Sequence, residues 1–309
     1  MKRFKNILFV ADRENARSAE LERAIALAES NAARLTVMDV APEAGIASFI
    51  KRSYAIDLNA QLREQRHQQL ETLVKPYADA GVSVYIKVVS GTPFIELVRA
   101  VQQNGHDLVM KVAKHDTGLA PVFFGSTDMH LLRKCPCPVW IDRSGSGASY
   151  RRLLAAVNPF DDESGELQRL ILDLATSLAV REQAALDVVH AWQLPGESMF
   201  TSGRARLPAT ELDQLLASTE RRHRQALDEL LLPHDLSSEA DNVHLVKGTP
   251  AEIISGFASE TGADLIVLGT LGRVGIAGLF IGNTAEDVLR ETPTAVLALK
   301  PNGFVSPVK

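Results

Sequence analysis

The chain has 309 residues, about twice the usual size of one domain, so two domains are expected. With 46% hydrophobic and 23% charged residues its composition is that of a soluble globular protein. A net charge of −5 argues against general nucleic-acid binding, and no apolar run approaches the ~18 residues of a membrane-spanning helix. The first apolar run, residues 6–11, is followed at once by Asp12, Arg13 and Glu14. It is too short for a secretory leader and is expected to be a buried strand of a cytoplasmic protein. Further strands are expected at 34–40, 83–89, 107–112 and 138–141, alternating with helical patterns at 19–30, 60–80, 93–104 and 127–134. After a Ser-Gly linker at 144–149, strands follow at 152–157, 185–191, 242–246, 264–268 and 295–299.

The alternation is the same in both halves because the chain repeats itself. Thr92-Pro93 aligns with Thr249-Pro250 at an offset of 157, and the register continues without a gap. Gly105 falls on Gly262, Asp107 on Asp264, Gly125 on Gly282, Arg133 on Arg290 and Pro136 on Pro293. The start of the unit repeats at an offset of 146, with Asn6–Ala11 over Arg152–Val157 in step. The second copy therefore carries 11 extra residues, expected in the loop at 195–208. Domains are expected at 1–143 and 150–309. Short apolar strands joined by helices imply a mostly parallel, doubly wound α/β sheet in each, with ligands at the carboxyl ends of the strands.

The chemistry-bearing segment runs from Leu265 to Glu286: a buried strand ending at Gly269, a loop containing Gly272, Gly275 and Gly278, then Gly282-Asn283-Thr284 opening a helix. Glycines let a backbone come close to a ligand, and a helix start offers unpaired N–H groups and positive potential to an anion. Asn283 and Thr284 can add side-chain donors. No Gly-Lys-Ser/Thr follows, so this is not a Walker A loop, and the G-x-G-x-x-G dinucleotide spacing is absent.

Gly269-x2-Gly272-x9-Gly282, followed by Asn283-Thr284, resembles the nucleotide-binding signature of the universal stress protein family. Asn283 departs from it, standing where that family has Ser or Thr. The resemblance covers both halves and points to the tandem members of the family. It implies two five-stranded parallel-sheet domains of the adenine nucleotide α-hydrolase-like class, paired within the chain and able to form a homodimer. It implies ATP or a related adenine nucleotide, with or without Mg²⁺, whose phosphates rest on Gly269, Gly272, Gly282, Asn283 and Thr284. Adenine is expected at Val157, Asn158 and Ala191; Asn158 stands where the family has aspartate. The first copy has Val112 and His115 in place of the first two glycines and is expected to be a degenerate partner. Lys111, Lys114 and His115 could attract an anion there by charge.

Other candidates carry less. Cys135-x-Cys137 with His130 falls short of a four-ligand zinc site, and no metal is expected. His190 and His244 lie on strand patterns and are expected to be structural, whereas His67, His223 and His234 are expected to be solvated. The run Arg221-Arg222-His223-Arg224 is expected on a helix surface. Asp264, Glu286 and Asp287 lack catalytic spacing, so a stress-response nucleotide-binding protein is expected. A slow ATPase and a nucleotide-free scaffold are the alternatives.

Overall fold

A computed structural model describes residues 3–11, 19–41, 57–113, 124–143, 149–161, 165–202, 206–270 and 282–309. Their contacts divide into two compact units. The first holds the described residues up to Ser149 together with Ala295–Lys309; the second holds the described residues of 150–270 and Gly282–Thr294.

In the first unit the chain runs β1 (Asn6–Val10), α1 (Ala19–Asn31), β2 (Arg34–Ala41), α2 (Leu58–Asp79), β3 (Val84–Ser90), α3 (Pro93–Asn104), β4 (Leu108–Ala113), α4 (Ser126–Lys134) and β5 (Val139–Arg143). The second unit contributes β6 (Arg152–Ala156), α5 (Glu166–Glu182), β7 (Ala185–Trp192), α6 (Glu197–Ser202), α7 (Ala209–Leu231), β8 (Val243–Lys247), α8 (Pro250–Thr261), β9 (Leu265–Gly269) and α9 (Asn283–Glu291). β10 (Ala295–Leu299) closes the series and pairs antiparallel with β5 inside the first unit, Leu297 facing Trp140. All other pairings in the two units are parallel, in the orders β3-β2-β1-β4-β5 and β8-β7-β6-β9. The parallel α/β class expected from the alternating pattern is the observed one.

The strands read as continuous apolar runs because helices cover both faces. Ile7, Leu8, Leu108, Val109, Leu153, Leu154, Leu265 and Ile266 are fully buried. Each unit reverses its strand order beside its first strand, between β1 and β4 and between β6 and β9. The switch point lies there, at the strands' carboxyl ends.

Local devices repeat with the strands. α3 and α8 both start with Pro at their first position and end on a left-handed glycine, Gly105 at φ 65° and Gly262 at φ 67°. Asp107 accepts from the backbone N–H groups of Lys5 and Asn6 at 2.6 and 3.0 Å. Asp264 does the same for Arg151 and Arg152 at 2.7 and 3.1 Å. Each aspartate thus clamps the first strand of its unit at the amino end, away from the switch point.

Register also relocates the extra residues. Asn6 faces Arg34 where Arg152 faces Ala185, so β7 follows β2 at an offset of 151. Val37 faces Ile86 where Val188 faces Val243, which returns the offset to 157. Five of the eleven additional residues therefore precede β7, and six follow it. Ala32 and Gln183, both left-handed without being glycine, end α1 and α5 at the same offset of 151.

Candidate functional site

The expected nucleotide site draws on four elements of the second unit. β9 ends in Gly269, which Thr270 follows; α9 begins at Asn283 after Gly282. The Gly282 N–H donates to the Thr270 carbonyl at 2.7 Å, so the two ends of the glycine segment meet at a closed neck. Gly272, with the rest of 271–281, lies outside the described residues. Asn283 and Thr284 are exposed on the first turn of α9, beside its N–H groups. Gly282 has φ −61° and ψ 144°, a conformation open to any residue.

Gly269 has a packing reason of its own. A Cβ there would stand 3.0 Å from Leu167 Cδ2 and 3.6 Å from Ile171 Cδ1, both on α5. The first turns of α5 come down on this glycine, and a side chain would push Leu167 away.

At the end of β6, the Val157 N–H donates to the Val189 carbonyl at 3.0 Å. Asn158 is engaged in its own turn. Its amide donates to Asp161 Oδ1 at 2.6 Å, its carbonyl oxygen accepts from the Phe160 N–H, and its backbone N–H donates to Gln168. Ala191, half-buried near the end of β7, faces Val246 of β8.

Beside these residues lies a group that the sequence reading did not assemble. His190, 1% exposed, has Nδ1 at 3.0 Å from the Val157 carbonyl and Nε2 at 2.8 Å from His223 Nδ1 on α7. A carbonyl can only accept, so His190 carries its proton on Nδ1 and accepts from His223 through Nε2. Burial pushes the His190 pKa down to about 4, opposed by the Val157 carbonyl and helped by His223. Burial, then Arg222, lowers His223 as well. Phe160 meets His223 edge-on with centroids 4.7 Å apart, and Trp192 lies 5.8 Å away. Arg222 sits 5.3 Å over Phe160. His223 is therefore a half-buried partner in an aromatic cluster, not the solvated side chain its polar surroundings suggested.

The first unit fills the same place with charge. Asp39 stands on β2 where His190 stands on β7, and Arg66 on α2 where His223 stands on α7. Arg66 Nε donates to Asp39 Oδ2 at 2.6 Å. The strand-to-helix bridge is kept, with an ion pair in one unit and two imidazoles in the other.

The helix start that corresponds to α9 is also different. The Gly125 N–H donates to Asp128 Oδ2 at 3.0 Å, and Lys111 Nζ lies 2.8 Å from Asp128 Oδ1. Lys111 also donates to the Val112 carbonyl. Both charged side chains are buried, and the second unit has Leu268 and Ala285 at these positions. Lys111 is thus committed to an internal carboxylate and is not available to an outside anion. Asp12, Lys114 and His115 lie outside the described residues.

His244 approaches Asp187 at 3.3 Å and Phe257 at 4.4 Å, a structural setting on β8. Among the described residues no group of three or more His, Cys, Asp or Glu side chains is placed to hold a metal, and no helix is long and apolar enough to cross a membrane.

Comparison with known proteins accounts for the repeat. The profile of the Universal stress protein family matches residues 3–143 and again 149–300. Universal stress protein E of Escherichia coli is 30% identical over 316 aligned residues, spanning 100% of this chain and 98% of its own. A homolog from Haemophilus influenzae is 27% identical, spanning 97% and 98%. In three dimensions the chain resembles a putative universal stress protein from Pseudomonas aeruginosa, with a TM-score of 0.75 at 24% identity over 98% of this chain and 95% of that one. A universal stress protein from Archaeoglobus fulgidus gives 0.62 at 18% identity over 96% and 99%. These two likenesses concern the fold.

Proposed function

The chain belongs to the universal stress protein family through both of its halves, and we propose that its second half binds ATP or a related adenine nucleotide while its first half does not. Membership supports a role in stress response. The proposed role is that of a cytoplasmic binding protein that signals its nucleotide state to partners, with hydrolysis slow or absent.

One observation carries the reading: the difference between the two helix starts. At α9 the Gly282 N–H closes the neck of a glycine segment, and the exposed first turn offers N–H groups, Asn283 and Thr284 to a phosphate. At α4 the same place is filled from within by Asp128 and Lys111. A phosphate entering there would meet a buried carboxylate. In the proposed complex adenine lies over Val157, Asn158 and Ala191, and the phosphates lie on Gly269, Gly272, Gly282, Asn283 and Thr284. Mg²⁺ would enter with the phosphates as their counter-ion, keeping part of its water shell.

A nucleotide-free scaffold is the second reading, favoured by two observations. Gly269 is accounted for by the close approach of Leu167, and the Asn158 amide is engaged within its own turn. Calorimetric titration of the full chain with ATP decides between them. The nucleotide reading expects one site per chain, lost in Gly272→Val with the fold retained, because a branched Cβ would block the backbone's approach to phosphate. Absence of binding, or equal affinity in wild type and variant, refutes it.

A further inference from the structure

We propose that Cys135 and Cys137 form an oxidisable dithiol, in which the Cys135 thiolate reacts with a hydroperoxide and Cys137 resolves the product to an intramolecular disulfide. The two residues flank Pro136 between the end of α4 and the start of β5, and both are free thiols. Cys135 is the C-cap of α4 with φ −69° and ψ 132°, Pro136 and Cys137 form a bend, and the Cys135 Sγ lies 3.5 Å from that of Cys137. That is hydrogen-bond contact between sulfurs, and a covalent link forms when side chains and bend bring the two Cβ atoms to about 3.8 Å.

The surroundings separate the two thiols by role. Burial alone would raise the Cys135 thiol, but the Cys137 thiol and backbone N–H donate to it and the Lys300 ammonium attracts its charge, so its pKa falls below the ordinary value. Cys137 is driven well above it, first by its hydrogen bond to Cys135, then by burial. One sulfur is held as the nucleophile and the other as the protonated resolving group.

Lys300 follows β10 and is 6% exposed. It donates to the Leu132 carbonyl at 2.5 Å and the Arg133 carbonyl at 3.4 Å, and lies 4.7 Å from the Phe304 ring. Burial lowers its pKa to about 8, and Cys135 opposes the shift. The fold alone does not ask for sulfur here. At the equivalent turn the second unit has Thr292 and Thr294, and the Thr294 N–H donates to Thr292 Oγ1 at 3.2 Å.

The chemistry balances with a hydroperoxide as the oxidant. The Cys135 thiolate attacks one oxygen of hydrogen peroxide, the O–O bond breaks, and Cys135 becomes a sulfenic acid as hydroxide leaves. The hydroxide takes a proton from Lys300 and becomes water. The Cys137 sulfur then attacks Cys135 sulfur, the S–O bond breaks, and the departing hydroxyl takes the Cys137 proton as a second water. Two thiols are oxidised, one peroxide is reduced, and the buried ammonium is neutralised as its anionic partner disappears. Hydrogen peroxide is little larger than water, and Cys137 keeps 7% of its surface exposed.

The test uses the reduced 309-residue chain, whose only cysteines are these two. It is exposed to hydrogen peroxide, denatured in N-ethylmaleimide and weighed intact. The proposal expects a loss of two hydrogens with no maleimide added, and a peptide map linking Cys135 to Cys137. Cys137→Ser should leave a sulfenic acid at Cys135 that dimedone traps, and Lys300→Gln should react about tenfold more slowly while Lys300→Arg does not. The wild-type rate should level off at lower pH than that of glutathione under the same conditions. Two maleimides retained under peroxide that oxidises glutathione, a link between chains, or a pH profile parallel to glutathione's would overturn it.

Discussion

Lowering the pH should weaken the second unit through His190. Its ring is neutral when folded, with a pKa of about 4 against an ordinary value of 6.5. The side chain is fully protonated in the unfolded chain before it is protonated in the fold. Above pH 6.5 both states are neutral and His190 contributes no pH dependence. As pH falls from 6.5 towards 4 the unfolded state alone gains the proton, so stability falls by about 3 kcal/mol across that window. Below about pH 4 the dependence ends. The causes are explicit: burial first, then the neighbouring His223, with the Val157 carbonyl opposing. The check is urea unfolding at a series of pH values, followed by tryptophan fluorescence, which reports Trp192, 5.8 Å from the His223 ring, together with Trp140 of the first unit. The comparison is with His190→Gln, whose amide can still donate to Val157 and accept from His223 without titrating. Subtracting the variant's pH dependence removes the contributions of His106 and His130, which are also lowered by burial. If wild type and His190→Gln lose the same stability between pH 6.5 and 4, the argument from this buried pair is wrong.

Three further outcomes follow from the same geometry. Asp128→Ala alone should cost about 3–5 kcal/mol, because it leaves the Lys111 ammonium buried without its anion. Lys111→Leu with Asp128→Ala, which copies the second unit, should restore most of that loss in chemical denaturation. Gly269→Ala should shift the end of the Leu167 side chain by a few tenths of an ångström, so its effect on stability should change when Leu167→Ala is made in the same chain; strictly additive effects would refute the packing account. ATP turnover with Mg²⁺ should lie far below the ~1 s⁻¹ at the lower end of ordinary enzymes, and a faster rate that disappears in Gly272→Val would place the protein among enzymes.

Much of the architecture was legible because the chain states it twice. Thr92-Pro93 and Thr249-Pro250, with Gly105 and Gly262 at the far ends of their helices, mark the same helix in the same register. The repeat of Asp107 as Asp264 was visible too, but its role was not. Nothing in the local sequence says that a carboxylate entering β4 or β9 will bind the amino end of a different strand. The sequence alone shows two offsets, 146 and 157, and so assigns all eleven extra residues to one loop. Strand register supplied the third, 151, for the stretch that ends α1 and α5 and runs through β2 and β7.

That missing offset also hid the histidine pair. Arg66 over His223 follows from the offset of 157, but Asp39 over His190 requires 151, and only together do they show one bridge built in two chemistries. A hydrophobic residue can often be recognised by its own periodicity, whereas a buried polar residue is intelligible only with its partner. Lys111 illustrates the cost of reading one alone: on its strand it looks like a cation offered to a phosphate, and beside Asp128 it is a cation already neutralised. The two units have the same topology around β1 and β6, so the asymmetry on which the proposed function rests does not lie in the fold. It lies in the side chains at the start of one helix. In the first unit Asp128, from the helix's own first turn, accepts from the Gly125 N–H and pairs with Lys111. In the second, Leu268 and Ala285 stand in place of that pair, and under the proposed function the first turn of α9 receives a phosphate instead.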